Sequence, residues 1–121
     1  MLRETNHLFI AAMDVEPDNE ALFNDVYDNE HIPFISEVPG VLSVARFQRQ
    51  ELTMIIGGEK RTIHIENEPK YAALYELSSP EVLTSEAWAN AVDRGRWAEQ
   101  VRPVTKNRRH TMMKLIQPTS L

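Results

Sequence analysis

His31 is the residue of this chain best placed for acid–base chemistry. Tyr27 precedes it by four positions and Asp28 by three, so both would share its face of a helix. An imidazole held by a carboxylate is suited to act as a general base at neutral pH. We therefore predict that His31 is the acid–base group, with Tyr27 donating to a carbonyl or enolate and Asp28 orienting the ring. In the structural alternative, His31 covers the end of the helix and hydrogen-bonds a backbone carbonyl that Pro33 leaves unpaired.

His7 is the second candidate base. It shares the parity of Phe9, Ala11 and Met13 along an apolar stretch that is typical of a buried strand. The small alanine side chains on this and a later strand would leave space beside it. We therefore predict that His7 points into a pocket between a sheet and its helices. The alternative is a histidine at a strand edge that faces solvent.

Five further side chains are predicted to contact a substrate: Phe9, Arg46, Tyr75, Trp88 and His110. Core packing is the alternative for Tyr75, and core packing or a dimer contact is the alternative for Trp88. Arg46 falls at an inward position of an apolar strand, so it needs either a carboxylate partner or an acidic ligand. His110 lies on the last predicted strand and would line either the pocket or a dimer interface.

Composition excludes several other kinds of chemistry. The chain has no cysteine, which rules out disulfides, thiolate metal sites and cysteine nucleophiles. Its four histidines are scattered, without a His-x-x-x-His or Glu-x-x-His pair, so we expect no metal site and no cofactor. The net charge of −5 argues against nucleic acid and against an anionic membrane surface as partners. The longest apolar run is six residues and no secretory signal is visible, so we expect a cytoplasmic protein.

The charges are divided unevenly along the chain. Residues 1–50 carry nine acids and three bases, whereas residues 93–109 carry six bases and two acids. One interpretation is two solvated faces of opposite sign. The other is that the basic segment faces an acidic ligand or the acidic half of a partner subunit.

The hydrophobic pattern predicts one α+β domain spanning residues 1–121. The predicted strands are 7–13, 41–48, 70–77 and 108–116, with an extra hairpin within 51–68 and a tail at 117–121. The predicted helices are 20–38, kinked near His31 by Pro33, and 80–91, entered through Ser78-Ser79-Pro80, with a further helical turn at 97–101. The order β-α-β-β-α-β is that of a ferredoxin-like fold with a four-stranded antiparallel sheet.

Both faces of that sheet are expected to be apolar. The first, third and fourth main strands carry large apolar residues at both parities, such as Leu8 with Phe9 and Met112 with Met113. Helices cover only one face, and the other face needs a second sheet. We therefore predict a homodimer, which is also a natural way for a chain of 121 residues to bury more surface.

Two segments carry a resemblance to a known superfamily. Residues 27–34 (YDNEHIPF) and 38–41 (VPGV) resemble the dimeric α+β barrel superfamily, and within it the EthD-like group. Residues 70–77 and the Trp88…Gly95-Arg96-Trp97 pieces are similar to its third strand and second helix. The insertion at 51–68 is longer than the shortest members carry. The resemblance implies a ferredoxin-like homodimer that binds a small molecule, and its cyclases have pocket residues placed similarly to His7 and Tyr27.

The superfamily contains several activities, so the fold alone does not select one. Our first hypothesis is a cofactor-free homodimeric enzyme of lyase, isomerase or cyclase type that acts on a small aromatic or polyketide-like carbonyl compound. The alternatives are a non-catalytic ligand-binding or accessory protein and a cofactor-independent monooxygenase. Heme-degrading members use an Asn, a Trp and a His, and only Asn6 lies in a similar place.

Overall fold

The structure is a computed structural model that describes residues 7–117. Asn6 and all but the first residue of the predicted tail at 117–121 lie outside the described residues. The strands are β1 His7–Val15, β2 Val41–Gln48, β3 Leu52–Ile56, β4 Glu59–Ile63, β5 Tyr71–Leu77 and β6 Thr105–Lys114. The α-helices are α1 Glu20–Val26, α2 Ile32–Ser36 and α3 Glu86–Val92.

Four of the strands form one antiparallel sheet in the order β2-β5-β1-β6. The central strand β1 places Phe9 opposite Tyr75 of β5 and opposite Met112 of β6. This order, with a helical connection after β1 and another after β5, is that of the ferredoxin-like fold. The predicted α+β class and four-stranded antiparallel sheet are confirmed.

One face of the sheet packs on the helices and forms the core. Along β5 every second residue is buried, from Tyr71 to Leu77, because successive side chains of a strand point to opposite faces. The inward side chains share one buried cluster with Phe23 and Val26 of α1 and with Trp97. Candidate site residues at inward positions therefore lie between the sheet and the helical layer.

The first helix passes through the predicted break without being interrupted. A π-helical turn, Tyr27–His31, joins α1 to α2, and the amide of Ile32 donates to the carbonyl of Tyr27. Pro33 lies in the first turn of α2, directly after this π turn. Single π turns within α-helices are frequent at functional sites, and this one carries both Tyr27 and His31.

The second helix begins later than predicted. A 3₁₀ turn spans Pro80–Thr84, and the side chain of Ser79 makes no capping hydrogen bond to it. Instead, Ser85 caps α3, since its Oγ accepts from the amide of Trp88 at 3.1 Å. A second π turn, Trp97–Val101, follows α3.

The segment between β2 and β5 contains the predicted hairpin. β3 and β4 pair around Gly57 and Gly58, whose φ angles of 60° and 85° match a type I′ turn. Apolar side chains of β3 are exposed, including Ile55 at 72%. No helix among residues 7–117 is long and apolar enough to cross a membrane.

Several acids of the first half form ion pairs with bases of the segment 93–109 in the same chain. The guanidinium of Arg96 lies 3.1 Å from Asp25 and 2.6 Å from Glu30, and Lys106 lies 3.5 Å from Glu16. These pairs are partly exposed, so each contributes at most about 1 kcal/mol. The acidic first half and the basic segment therefore meet within one chain.

Candidate functional site

A cavity of about 210 Å³ lies between the inner face of the sheet and the helical layer. Its apolar wall includes the aromatic rings of Phe9, Trp88 and Trp97. The polar groups that line it are Tyr27, His31, Tyr75, Arg102, Arg108 and His110. A concave site that combines aromatic rings with polar groups is suited to bind a small molecule.

His31 is buried at the centre of this arrangement. Its ring stacks on Trp97 with centroids 4.0 Å apart and planes at 16°, and it meets the edge of Tyr27 at 5.1 Å. Burial, and then the positive charge of Arg102, lower the pKa of His31 to about 3. The imidazole is therefore neutral at pH 7.

The Nδ1 atom of His31 is buried and has no hydrogen-bond partner among residues 7–117. An unsatisfied buried polar group costs about 1–3 kcal/mol. Such atoms are rare enough in native proteins that each one needs an explanation. In the structural alternative this ring would bond to a backbone carbonyl, and its Nδ1 does not do so.

The structure does not bring Asp28 to His31. Its carboxylate accepts from Nη1 of Arg46 at 2.8 Å, and its side chain is more than half exposed. The π turn explains this separation. A π turn has more residues per turn than an α-helix. Tyr27, which precedes His31 by four residues, therefore stays on the same helix face, whereas Asp28, which precedes it by three, is rotated away.

Two buried tyrosines form the second polar feature of the cavity. The hydroxyls of Tyr27 and Tyr75 lie 3.1 Å apart, and either can donate. Burial raises the pKa of both groups. Both therefore stay protonated at neutral pH, and one O–H of the pair can turn toward a ligand.

Arg46 packs on the ring of Tyr27 and does not line the cavity. Its guanidinium lies 4.5 Å from the ring centroid of Tyr27 and hydrogen-bonds Asn24 at 2.9 Å as well as Asp28. It thus has the carboxylate partner that its inward strand position requires. The cation over the ring face also holds Tyr27 in place.

Three of the predicted contact residues surround the ring of Phe9. Its centroid lies 5.3 Å from Tyr75, 6.0 Å from Trp88 and 5.7 Å from His110. All four line the cavity. His7 does not, although it shares the face of Phe9; it is half-buried at the start of β1, opposite Leu77 and Lys114.

Sequence reasoning named neither Arg102 nor Arg108 as a site residue, although both belong to the basic segment 93–109, for which an acidic ligand was one interpretation. Parity along β6 could have found Arg108, because it precedes His110 by two residues on the same strand face. Arg102 lies in a 3₁₀ turn, where periodicity gives no signal, so only the basic charge of its segment points to it. Among residues 7–117, no group of three or more His, Asp or Glu side chains is arranged to hold a metal ion.

No protein-family model and no curated protein matches this sequence. Several solved structures do match its fold. MhuD from Mycobacterium tuberculosis, a heme-degrader with two hemes bound in its active site, gives a TM-score of 0.56 at 16% identity, over 94% of this chain and 99% of that one. A MhuD mutant with two manganese protoporphyrin IX bound per active site gives 0.58 at 16% identity, over 94% and 98%.

An EthD family protein from Bacillus halodurans gives a TM-score of 0.55 at 11% identity, over 91% of this chain and 99% of that one. At these identities the likeness establishes the fold. The ferredoxin-like fold that the resemblance to the dimeric α+β barrel superfamily implied is confirmed.

Proposed function

We propose that this protein is a cofactor-free enzyme of lyase, isomerase or cyclase type that moves a proton on a small aromatic or polyketide-like carbonyl compound. The observation that supports it is that His31, whose imidazole is neutral, lines the same cavity as the paired hydroxyls of Tyr27 and Tyr75. A residue that can accept a proton and a hydroxyl that can donate one therefore line the same cavity. Enolisation needs those two groups.

The chemistry follows from the two polar features. A tyrosine O–H donates to the carbonyl oxygen of the substrate and stabilises the enolate that forms there. The imidazole of His31 accepts the proton from the α-carbon and returns it elsewhere. Its low pKa in the free protein does not prevent this, because the forming enolate is an opposite charge that raises the pKa of the imidazole beside it.

The size of the cavity limits the substrate. Pockets for drug-sized ligands measure about 300–1,000 Å³, and this one measures about 210 Å³. A compound of one or two rings fits that volume, whereas a porphyrin, as bound by MhuD, does not. The volume of the cavity therefore favours a small substrate over heme.

Deuterium exchange into 2-tetralone, a small bicyclic ketone with an acidic α-carbon, tests the proposal. We expect the protein to accelerate this exchange in D₂O, followed by proton NMR. General acid–base catalysis contributes about 10²–10⁴-fold, so His31→Gln should lower the protein-dependent rate about 100-fold or more. His64→Gln, a change at an exposed histidine after β4, is the matched control and should leave the rate unchanged.

Exchange at the buffer rate, with the probe bound in the cavity, would contradict the enzymatic proposal and favour the ligand-binding protein.

A cofactor-independent monooxygenase is the second candidate, favoured by the fold shared with the heme-degrader MhuD. It predicts oxygen uptake with an activated phenol or quinol, abolished by His31→Gln. Turnover that continues under anaerobic conditions would exclude it.

We also propose that two copies pair through the outer face of the sheet. The most exposed large apolar side chains among residues 7–117 lie on the sheet, on the hairpin or within two residues of them. Phe47 and Met113, both 55% exposed, stand on the face turned away from the helices. A second sheet packed on this face would remove the side chains of Phe47 and Met113 from water.

A further inference from the structure

We infer that the ligand of this cavity carries a planar anionic group, such as a carboxylate, which binds between Arg102 and Arg108. The inference rests on the proposed function, since it assigns the substrate class of the same site. The substrate would then be an aromatic carboxylate whose ring lies against the tryptophans.

The charges around the cavity carry this inference. Arg102 and Arg108 line it, and no Asp or Glu among residues 7–117 does. The cavity therefore presents cationic charge that no acid in its own wall offsets. A ligand of opposite charge is the partner that such a site favours.

The two arginines differ in how far they are already neutralised. Nη2 of Arg102 donates to the carbonyl of Val92 and to the carboxylate of Asp93, each at 3.0 Å. That ion pair is partly exposed, so solvent weakens it. Arg108 has no carboxylate partner among residues 7–117, and it is the unpaired cation of the cavity.

Hydrogen bonds to neutral groups hold the guanidinium of Arg108 in place. Its Nε donates to Oγ1 of Thr105 at 2.9 Å, and its Nη2 donates to the carbonyl of Arg102 at 2.8 Å. These bonds orient the side chain without cancelling its charge. The remaining N–H groups of the guanidinium stay available for a planar oxyanion, which two parallel N–H groups can bind as a fork. Because the guanidinium is already held in place, it loses less conformational entropy when the ligand binds.

An anion here would also act on His31. The positive charge of Arg102 is one cause of the low pKa of that imidazole. A carboxylate bound to Arg102 offsets this charge and moves the pKa of His31 back toward its usual range. The imidazole would thus become more basic when a ligand with a carboxylate is bound.

Two probes of equal shape and different charge test the inference. Both tryptophans of the chain, Trp88 and Trp97, line the cavity, so intrinsic fluorescence reports on this site. We expect 3-phenylpropanoate to bind at least about tenfold more tightly than 3-phenylpropanamide. Arg108→Gln should abolish most of this preference, whereas Arg108→Lys, which keeps the charge and loses the fork, should retain part of it.

Arg109→Gln is the matched control, because Arg109 is the next residue on β6, also exposed, and points to the opposite face of the sheet. It should leave the preference unchanged. Equal binding of acid and amide, or an equal loss in Arg108→Gln and Arg109→Gln, would overturn the anion site while leaving the proposed function in place. Binding of neither probe would also overturn the anion site, and the proposed function would then be decided by the deuterium exchange of 2-tetralone alone. Because Arg108 is exposed, its substitution should not impair folding.

Discussion

A buried histidine that stays neutral makes the stability of this protein depend on pH. The pKa of His31 is about 3 in the folded chain, against 6.5 for an unperturbed histidine. Between these values the unfolded chain binds a proton that the folded chain does not. The contribution of His31 to stability is therefore complete above about pH 6.5 and falls as the pH drops toward 3.

Chemical denaturation of the native protein and of His31→Gln between pH 7 and pH 4 measures this effect. We expect the native protein to lose stability relative to the variant as the pH falls. The other titratable groups around the cavity are Tyr27, Tyr75, Arg102, Arg108 and His110. They are common to both proteins, so their effects cancel in the difference. A difference in stability that does not change with pH would show that His31 titrates normally.

At the scale of elements, Gly95 allows the turn after α3 to pack closely on the first helix. Its φ is +68°, and a Cβ added there would lie 2.5 Å from Oε1 of Glu30 and 2.9 Å from Phe34. The same carboxylate accepts from the amide of Arg96 at 2.9 Å. The close approach of this turn to the helix that carries His31 thus requires a residue without a side chain.

Gly95→Ala should destabilise the fold by about 2–4 kcal/mol, because backbone strain of about 1–3 kcal/mol adds to the clash with Glu30. Thermal and urea unfolding give the value. Gly58→Ala is the matched control, since its φ of +85° is similarly strained but nothing lies within 4 Å of the added Cβ. Equal losses in the two variants would show that the packing of Gly95 against Glu30 is unimportant.

Sequence patterns predicted the elements well where one signal decided the structure. β2 was predicted at its observed bounds, Val41–Gln48, because its β-forming residues start directly after Pro39-Gly40. The start of the second helix was wrong, since Ser79 and Ser85 are both plausible caps and only tertiary packing selects between them.

The same limit applies to the site. Residue type and helical spacing identified His31 and Tyr27, which do share the cavity. The predicted orienting contact of Asp28 assumed ordinary α-helical spacing. Pro33 predicted a distortion near His31, but the form that it takes, a π turn that displaces Asp28, follows from no local sequence pattern. Arg102 reaches the cavity from a turn, which follows no periodicity that a sequence pattern could reveal.

At the scale of the whole molecule, the outer face of the sheet is the surface through which we expect two copies to associate. Leu8 and Ile10 of β1 share this face with Phe47 and Met113, and a concavity of about 330 Å³ lies beside Ile10 and Phe47. Exposed apolar side chains on one face of a sheet are typical of an interaction site. Its central position on the sheet suits an isologous contact, in which each copy offers the same surface.

Sedimentation velocity at micromolar concentration should therefore show a dimer of about twice 13.9 kDa. The double variant Phe47→Glu/Met113→Glu should sediment as a folded monomer, because two like charges per copy would face each other across an apolar contact. Ala89→Glu, a change on the exposed side of α3, is the matched control and should remain dimeric. A native protein that sediments as a monomer would contradict the pairing. A double variant that keeps the dimeric mass would place the contact elsewhere, with the exposed hairpin as the next surface to substitute.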